Sequence, residues 1–173
     1  MKRFLLLAIF TTLLTALASA QEKTIGGEFQ ALLTRIESQV VPLADAMPAD
    51  KYSFAPSSGE FKGVRNFGDQ VLHVAQANFS FCGVIGGEKG PAAPAAGAAK
   101  ATVVQYLKDS FAFCQKSLGT LTAANAVEPI KGPGGLGSRV AVAGLLAAHN
   151  YDHYGQMVVY LRMNGMIPPA SQR

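Results

Sequence analysis

The chain contains three histidines, and two of them, His149 and His153, stand four residues apart. On an α-helix, residues i and i+4 project from one side with Cβ atoms about 5–6 Å apart, so two imidazole nitrogens can converge on one point. A divalent metal ion fits there. The surrounding sequence supplies a phase as well: Val142, Leu145, Leu146, Met157, Tyr160 and Leu161 make an apolar stripe, and both histidines fall in its middle. Imidazoles turned toward a core cost free energy unless their nitrogens find partners, and a shared cation satisfies one nitrogen of each ring. The competing reading is a set of ordinary hydrogen-bonded histidines. His73, on an earlier helical segment, is the candidate third ligand. It projects off the apolar arc of Val64, Phe67, Val71, Val74, Phe79 and Cys82, onto a small polar face beside Gln70, Ala77 and Ser80.

Three neutral imidazoles leave a coordination position open, as catalytic zinc sites do and closed structural ones do not. Water would fill it. A cation there lowers the pKa of that water, polarises a bound oxygen or holds a thiol as thiolate, so hydrolysis and thiol transfer are the chemistries to expect. Asp152 lies between the two histidines and Gln156 follows His153 by three, which makes both candidates for orienting a ring or binding the metal's water. For Asp152 the alternative is a solvated helix face. Asn78 faces inward and reads either as a buried hydrogen-bonding residue or as part of the pocket, while Arg162 complements the helix dipole near the end of its segment. Tyr151, Tyr154 and Tyr160 surround the histidine turn as packing or pocket-lining groups. No Ser/His/Asp arrangement is present. The glycines from Gly132 to Gly137 lack both a following Lys-Ser/Thr and a preceding strand, which excludes a phosphate loop.

Four helical segments must position these groups. Apolar residues from Ile25 through Leu32, Ile36 and Val40 to Met47 hold one face of a segment spanning about 24–47, with Pro42 on the opposite face as a candidate kink. A second segment spans about 64–84 and a third about 98–121, the latter with Val103, Val104, Leu107, Phe111, Cys114 and Leu118 on one side. The fourth runs from an N-cap at Ser138 to Asn164, stopped by Gly165 and Pro168-Pro169. The Gly/Ala/Pro stretch from Gly86 to Gly97 can bury little and reads as a mobile connection. No strand is required. Four amphipathic helices of about 20 residues make an all-α four-helix bundle, an architecture whose interior commonly hosts metals.

With 173 residues the chain suits one domain. Its start reads as a secretory leader at 1–20: Lys2 and Arg3, an apolar run from Phe4 to Leu17, and the small residues Ala18-Ser19-Ala20 before Gln21. The mature domain is then 21–173, exported to the periplasm or the medium, with no stable membrane insertion after cleavage. Loss of Lys2 and Arg3 leaves 13 basic against 11 acidic residues, a net charge of +2. The remaining charges form no basic stripe, so nucleic acid is not an expected partner. Cys82 and Cys114 sit on apolar faces and read by default as buried thiols, with export making a disulfide an option.

The sequence from His149 to Gln156, followed by Tyr160-Leu161-Arg162-Met163-Asn164-Gly165 and Pro168-Pro169, resembles the closing helix of the DinB-like metal-binding four-helix bundles, with its HxxxHxxQ and LRxxGxxPP elements. Gln70 to Ala75 resembles that family's second-helix histidine motif, and Met47 to Tyr52 its loop after the first helix. The resemblance covers essentially all of 21–173 in order. It implies an unusual helix order, a site of His73, His149 and His153 near one end of the bundle, nickel or zinc as the metal, and pairing into homodimers. In that helix order the second and third helices run parallel and both cysteines lie at the same height, which implies a Cys82–Cys114 disulfide. Thiol-dependent transfer is the activity the resemblance suggests for an exported metalloenzyme. A non-catalytic module binding metal or a small ligand, and a purely structural helical domain, are the other two readings.

Overall fold

Thr24 opens the first helix of the computed structural model, which describes residues 23–172. Its hydroxyl accepts the Gly27 amide at 3.0 Å and satisfies one of the donors a first turn leaves free. Helix α1 then runs Ile25–Ala46, burying Leu33, Ile36, Val40 and Leu43, and it continues through the exposed Pro42 without interruption. Helix α2 spans Phe67–Gly86, α3 spans Lys100–Gly119 and α4 spans Arg139–Met163. Three short 3-10 turns, Ala49–Lys51, Pro133–Gly135 and Pro169–Ser171, punctuate the connections. No strand occurs among the described residues, where one isolated bridge joins Pro129 to Ser138. No helix among them is long and apolar enough to cross a membrane. The proposed leader at 1–20 lies outside the described residues.

α3 and α4 each pack against both α1 and α2, which places α1 and α2 across the diagonal. Side-chain pairs fix the directions. Asn78 bonds to Ser110 and Cys82 to Cys114, so α2 and α3 run parallel. Gln30 reaches the Gln115 carbonyl at one end of α1 and Asp45 meets Lys100 at the other, so α1 and α3 are antiparallel. Gln70 meets Gln156 and Ile85 meets Arg139, which makes α2 and α4 antiparallel as well. At Gly26 an added Cβ would lie 2.5 Å from the Leu118 carbonyl oxygen, showing how closely α1 approaches the end of α3.

Two parallel neighbours that are consecutive in sequence need a connection as long as a helix. A 20-residue helix is about 30 Å long, a distance that an extended chain covers in about ten residues. Residues 87–99 supply them. The stretch read as a mobile connection lies packed along the bundle instead: a Cβ at Gly90 would come within 2.6 Å of the Phe79 ring, and the Tyr106 hydroxyl donates to the Pro91 carbonyl at 3.3 Å. Glycine serves close approach here as much as freedom.

A polar thread crosses the otherwise apolar centre of the bundle. Asn150 donates to the Asn78 side-chain oxygen at 2.7 Å, Asn78 donates to Ser110 at 3.1 Å, and Ser110 donates to the Leu107 carbonyl at 2.7 Å. All three side chains are fully buried, so the thread ties α4, α2 and α3 together at one height. Four turns into α2 and α3, Cys82 and Cys114 form a disulfide with their Cα atoms 5.1 Å apart.

The second helix begins three residues later than the apolar phase suggests. Val64 fits that phase, but Asn66 caps the helix by accepting the Asp69 amide at 2.8 Å, and Val64 is left in the preceding turn, exposed. The third helix likewise starts at Lys100, two residues inside the expected span.

The disulfide bridges a sequence separation of 32. The chain-entropy model gives such a cross-link about 3–4 kcal/mol. Urea denaturation of a Cys82→Ala/Cys114→Ala protein is expected to show a loss of that size, with equal stability in the two proteins being the contrary result.

Candidate metal centre

His73 sits two turns into α2, and His149 and His153 face it from the antiparallel α4. His149 Nε2 lies 3.2 Å from His73 Nε2 and 3.1 Å from His153 Nε2. One ligand atom from each ring falls within 4.8 Å of the others. His153 is buried, whereas His73 and His149 are half-buried, so the cluster lies at the edge of the α2–α4 groove. Phe81 packs edge-on against His149 with ring centroids 5.3 Å apart and limits how that ring can turn.

Hydrogen bonding among the rings alone does not satisfy this arrangement. An imidazole nitrogen carries either one hydrogen or one lone pair in the ring plane. His149 Nε2 therefore suits one linear partner, yet it faces two nitrogens. A cation shared by the three lone pairs removes the conflict. Metal–nitrogen bonds of about 2.0–2.1 Å in a tetrahedral site put the ligand nitrogens about 3.3 Å apart, close to the two contacts observed. The donor set fits a divalent metal, and these three histidines could hold one.

Burial favours the neutral rings that ligation needs. His149 is pushed from its ordinary 6.5 down to about 4, first by burial and then by the neighbouring His153 and His73, with Asp152 pulling weakly the other way. Burial also lowers His73, helped by the Arg65 guanidinium and by His153. In His153 burial outweighs the opposing pull of Asp152, and Arg65 lowers it further.

Asp152 and Gln156 are placed beside the triad, but neither hydrogen-bonds to a histidine. Gln156 donates to Asp152 Oδ2 at 2.9 Å and accepts from Gln70. Asp152 is exposed and Gln156 half-buried, so Gln156 lies at the margin of the inward stripe. Asn78 belongs to the buried thread and not to the triad. Arg162 reaches Ser171 at 3.3 Å beyond the helix end. Tyr160 is buried and donates to the Arg65 carbonyl at 2.9 Å, Tyr151 is exposed, and Tyr154 packs against the core. Gln70, Arg65 and Phe81 were not legible as site residues from the sequence. Gln70 carried a signal: it precedes His73 by three, as Gln156 follows His153 by three, and antiparallel helices bring such positions opposite each other.

The family model described as the DinB superfamily matches residues 32–157, a span that holds all three histidines and both cysteines. No curated protein matches the chain. The chain belongs to the DinB superfamily.

Depressed histidine pKa values make metal-free stability depend on pH. Between 6.5 and about 4 the unfolded chain binds protons that the folded rings refuse, so stability falls as pH falls through that window. Urea midpoints of metal-free protein are expected to drop from pH 7 to pH 4, and His149→Phe is expected to flatten the slope. Identical pH profiles for the two proteins would contradict the assignment.

Proposed function

We propose that this DinB-superfamily protein is exported and binds one divalent ion, nickel or zinc, through His73, His149 and His153, as a metal-dependent enzyme of the thiol-transfer or hydrolytic type. The observation that carries the reading is the convergence of three Nε2 atoms, with His149 Nε2 3.1 and 3.2 Å from its two neighbours. The cation supplies positive charge that polarises an oxygen or sulfur of a small ligand. The chain's own residues do the rest. Burial keeps the rings neutral near neutral pH, the edge of Phe81 holds the His149 ring, and three protein ligands at the rim of the groove leave a face of the site toward solvent. The Cys82–Cys114 disulfide supports export, since such bonds persist in oxidising compartments.

A non-catalytic metal- or ligand-binding module is the second reading. It is favoured by one specific feature: Asp152, the carboxylate whose charge acts on His149 and His153, is engaged by Gln156 and hydrogen-bonds to no ring. Metal uptake without turnover of thiol or ester substrates would select it.

Elemental analysis of the leaderless protein, purified without a histidine tag, is expected to find one equivalent of nickel or zinc and none in a His149→Ala/His153→Ala protein. No uptake from excess ions by the unaltered protein would remove the metalloenzyme reading and leave a small-ligand-binding or structural helical domain.

A further inference from the structure

Four buried side-chain atoms among the described residues have no hydrogen-bond partner: Gln70 Oε1, Asn150 Oδ1, His149 Nδ1 and His153 Nδ1. Asn150 Oδ1 belongs to the thread in the core. Two of the others are the second ring nitrogens of triad histidines, the third belongs to Gln70 one turn before His73, and the polarity of Gln70 can be deduced from its neighbours. An ionised aspartate only accepts hydrogen bonds, so Asp152 obliges Gln156 to present its NH₂ group. That leaves Gln156 Oε1 for Gln70, which must present its own NH₂ in turn. Gln70 Oε1 is then an acceptor held without a donor, in a side chain that is 2% exposed. Leaving a buried acceptor unmatched costs about 1–3 kcal/mol. His153 Nδ1 poses the complementary problem. When Nε2 gives its lone pair to a cation, Nδ1 carries the hydrogen, and His153 Nδ1 has no acceptor.

We infer that Asp152, Gln156 and Gln70 form a polar relay that orients the metal site, with Gln70 Oε1 accepting the Nδ1 hydrogen of His153 and so fixing the tautomer that turns Nε2 toward the metal. Gln156 is one turn beyond His153 on α4 and Gln70 one turn before His73 on α2, which puts the amide pair in the layer next to the triad. The two atoms are not hydrogen-bonded in the structure; the inference requires a side-chain turn or a bridging water to join them when the ion is bound. The inference rests on the metal-binding reading. It assigns Gln70, a residue with no contact to the ion, as the positioning residue, and it makes Gln156 and Asp152 its supports in place of direct partners of a ring.

The test uses zinc-competition titrations and nitrogen-15 NMR of the zinc-loaded protein, with Gln70→Leu and Gln156→Leu alone and together. Removing an outer partner of a metal-bound histidine typically weakens affinity about 10–100-fold. Each single change is expected to fall in that range, and the pair to lose little more than Gln70→Leu alone, because both cut one relay. The His153 Nδ1 hydrogen is expected to be protected from solvent exchange in the unaltered protein and to lose that protection in both variants. Gln156 is half-buried, so Gln156→Leu keeps the test decisive if Gln70→Leu does not fold. Unchanged zinc affinity with an unchanged His153 signal would overturn the relay while leaving the metal site standing. Failure of the unaltered protein to bind zinc would overturn the metal-binding reading and the relay with it.

Discussion

The register between α2 and α4 is the constraint on which the site depends. Five contacts along the groove set it: Tyr160 to the Arg65 carbonyl, Gln156 to Gln70, His149 and His153 to His73, Asn150 to Asn78, and Arg139 to the Ile85 carbonyl. From Arg65, just ahead of α2, they pair ascending positions of that segment with descending positions of α4, as antiparallel helices in one register must. A slip of one turn moves a helix by about 5.4 Å, which would separate the imidazoles and break every rung at once. The buried Asn78–Asn150 rung makes a slip especially costly, because the fully buried Asn78 side-chain oxygen would lose its donor. Polar contacts in this groove therefore specify alignment, while the apolar faces supply most of the cohesion.

The remaining helices hold that pair in place. α1 and α2 lie across the diagonal, so α2 receives its support from α3 and α4. Parallel packing of α2 on α3 is secured at two heights, by Asn78 on Ser110 and by the disulfide one turn farther on. The same parallel arrangement forces the chain to recross the length of the bundle through 87–99, and Gly90 lets that strap lie against Phe79. A covalent link, a buried polar thread and a packed crossover thus all act on α2, the helix that brings His73 to the other two histidines.

Much of this was legible in the sequence, because the helices announce themselves by period. Leu33, Ile36, Val40 and Leu43 recur at the spacing of a buried face, and Thr24 and Ser138 are caps of the expected kind. The i, i+4 spacing placed His149 and His153 together without coordinates. The start of α2 was less legible, since Val64 continues the apolar phase and only the Asn66 side chain reveals the true boundary. His73 and Gln70 could not be assigned from phase alone. Their face of α2 is polar because it borders the groove, which becomes apparent only once α4 is opposite. The resemblance to a known family supplied the helix order that local patterns do not encode, and with it the common height of Cys82 and Cys114. Hydrogen-bond direction along Asp152, Gln156 and Gln70 depends on three side chains from two helices, so no reading of one segment could contain it.

The central claim is that three imidazole nitrogens from α2 and α4 share one divalent ion. X-ray absorption spectroscopy of the zinc-loaded protein tests it most directly, since the extended fine structure beyond the edge counts imidazole ligands and reports their distance. The account predicts three imidazole nitrogens at about 2.0–2.1 Å, with any further ligand a light atom. A shell of oxygens without the outer-sphere scattering of imidazole rings, or a shell containing sulfur, would contradict it.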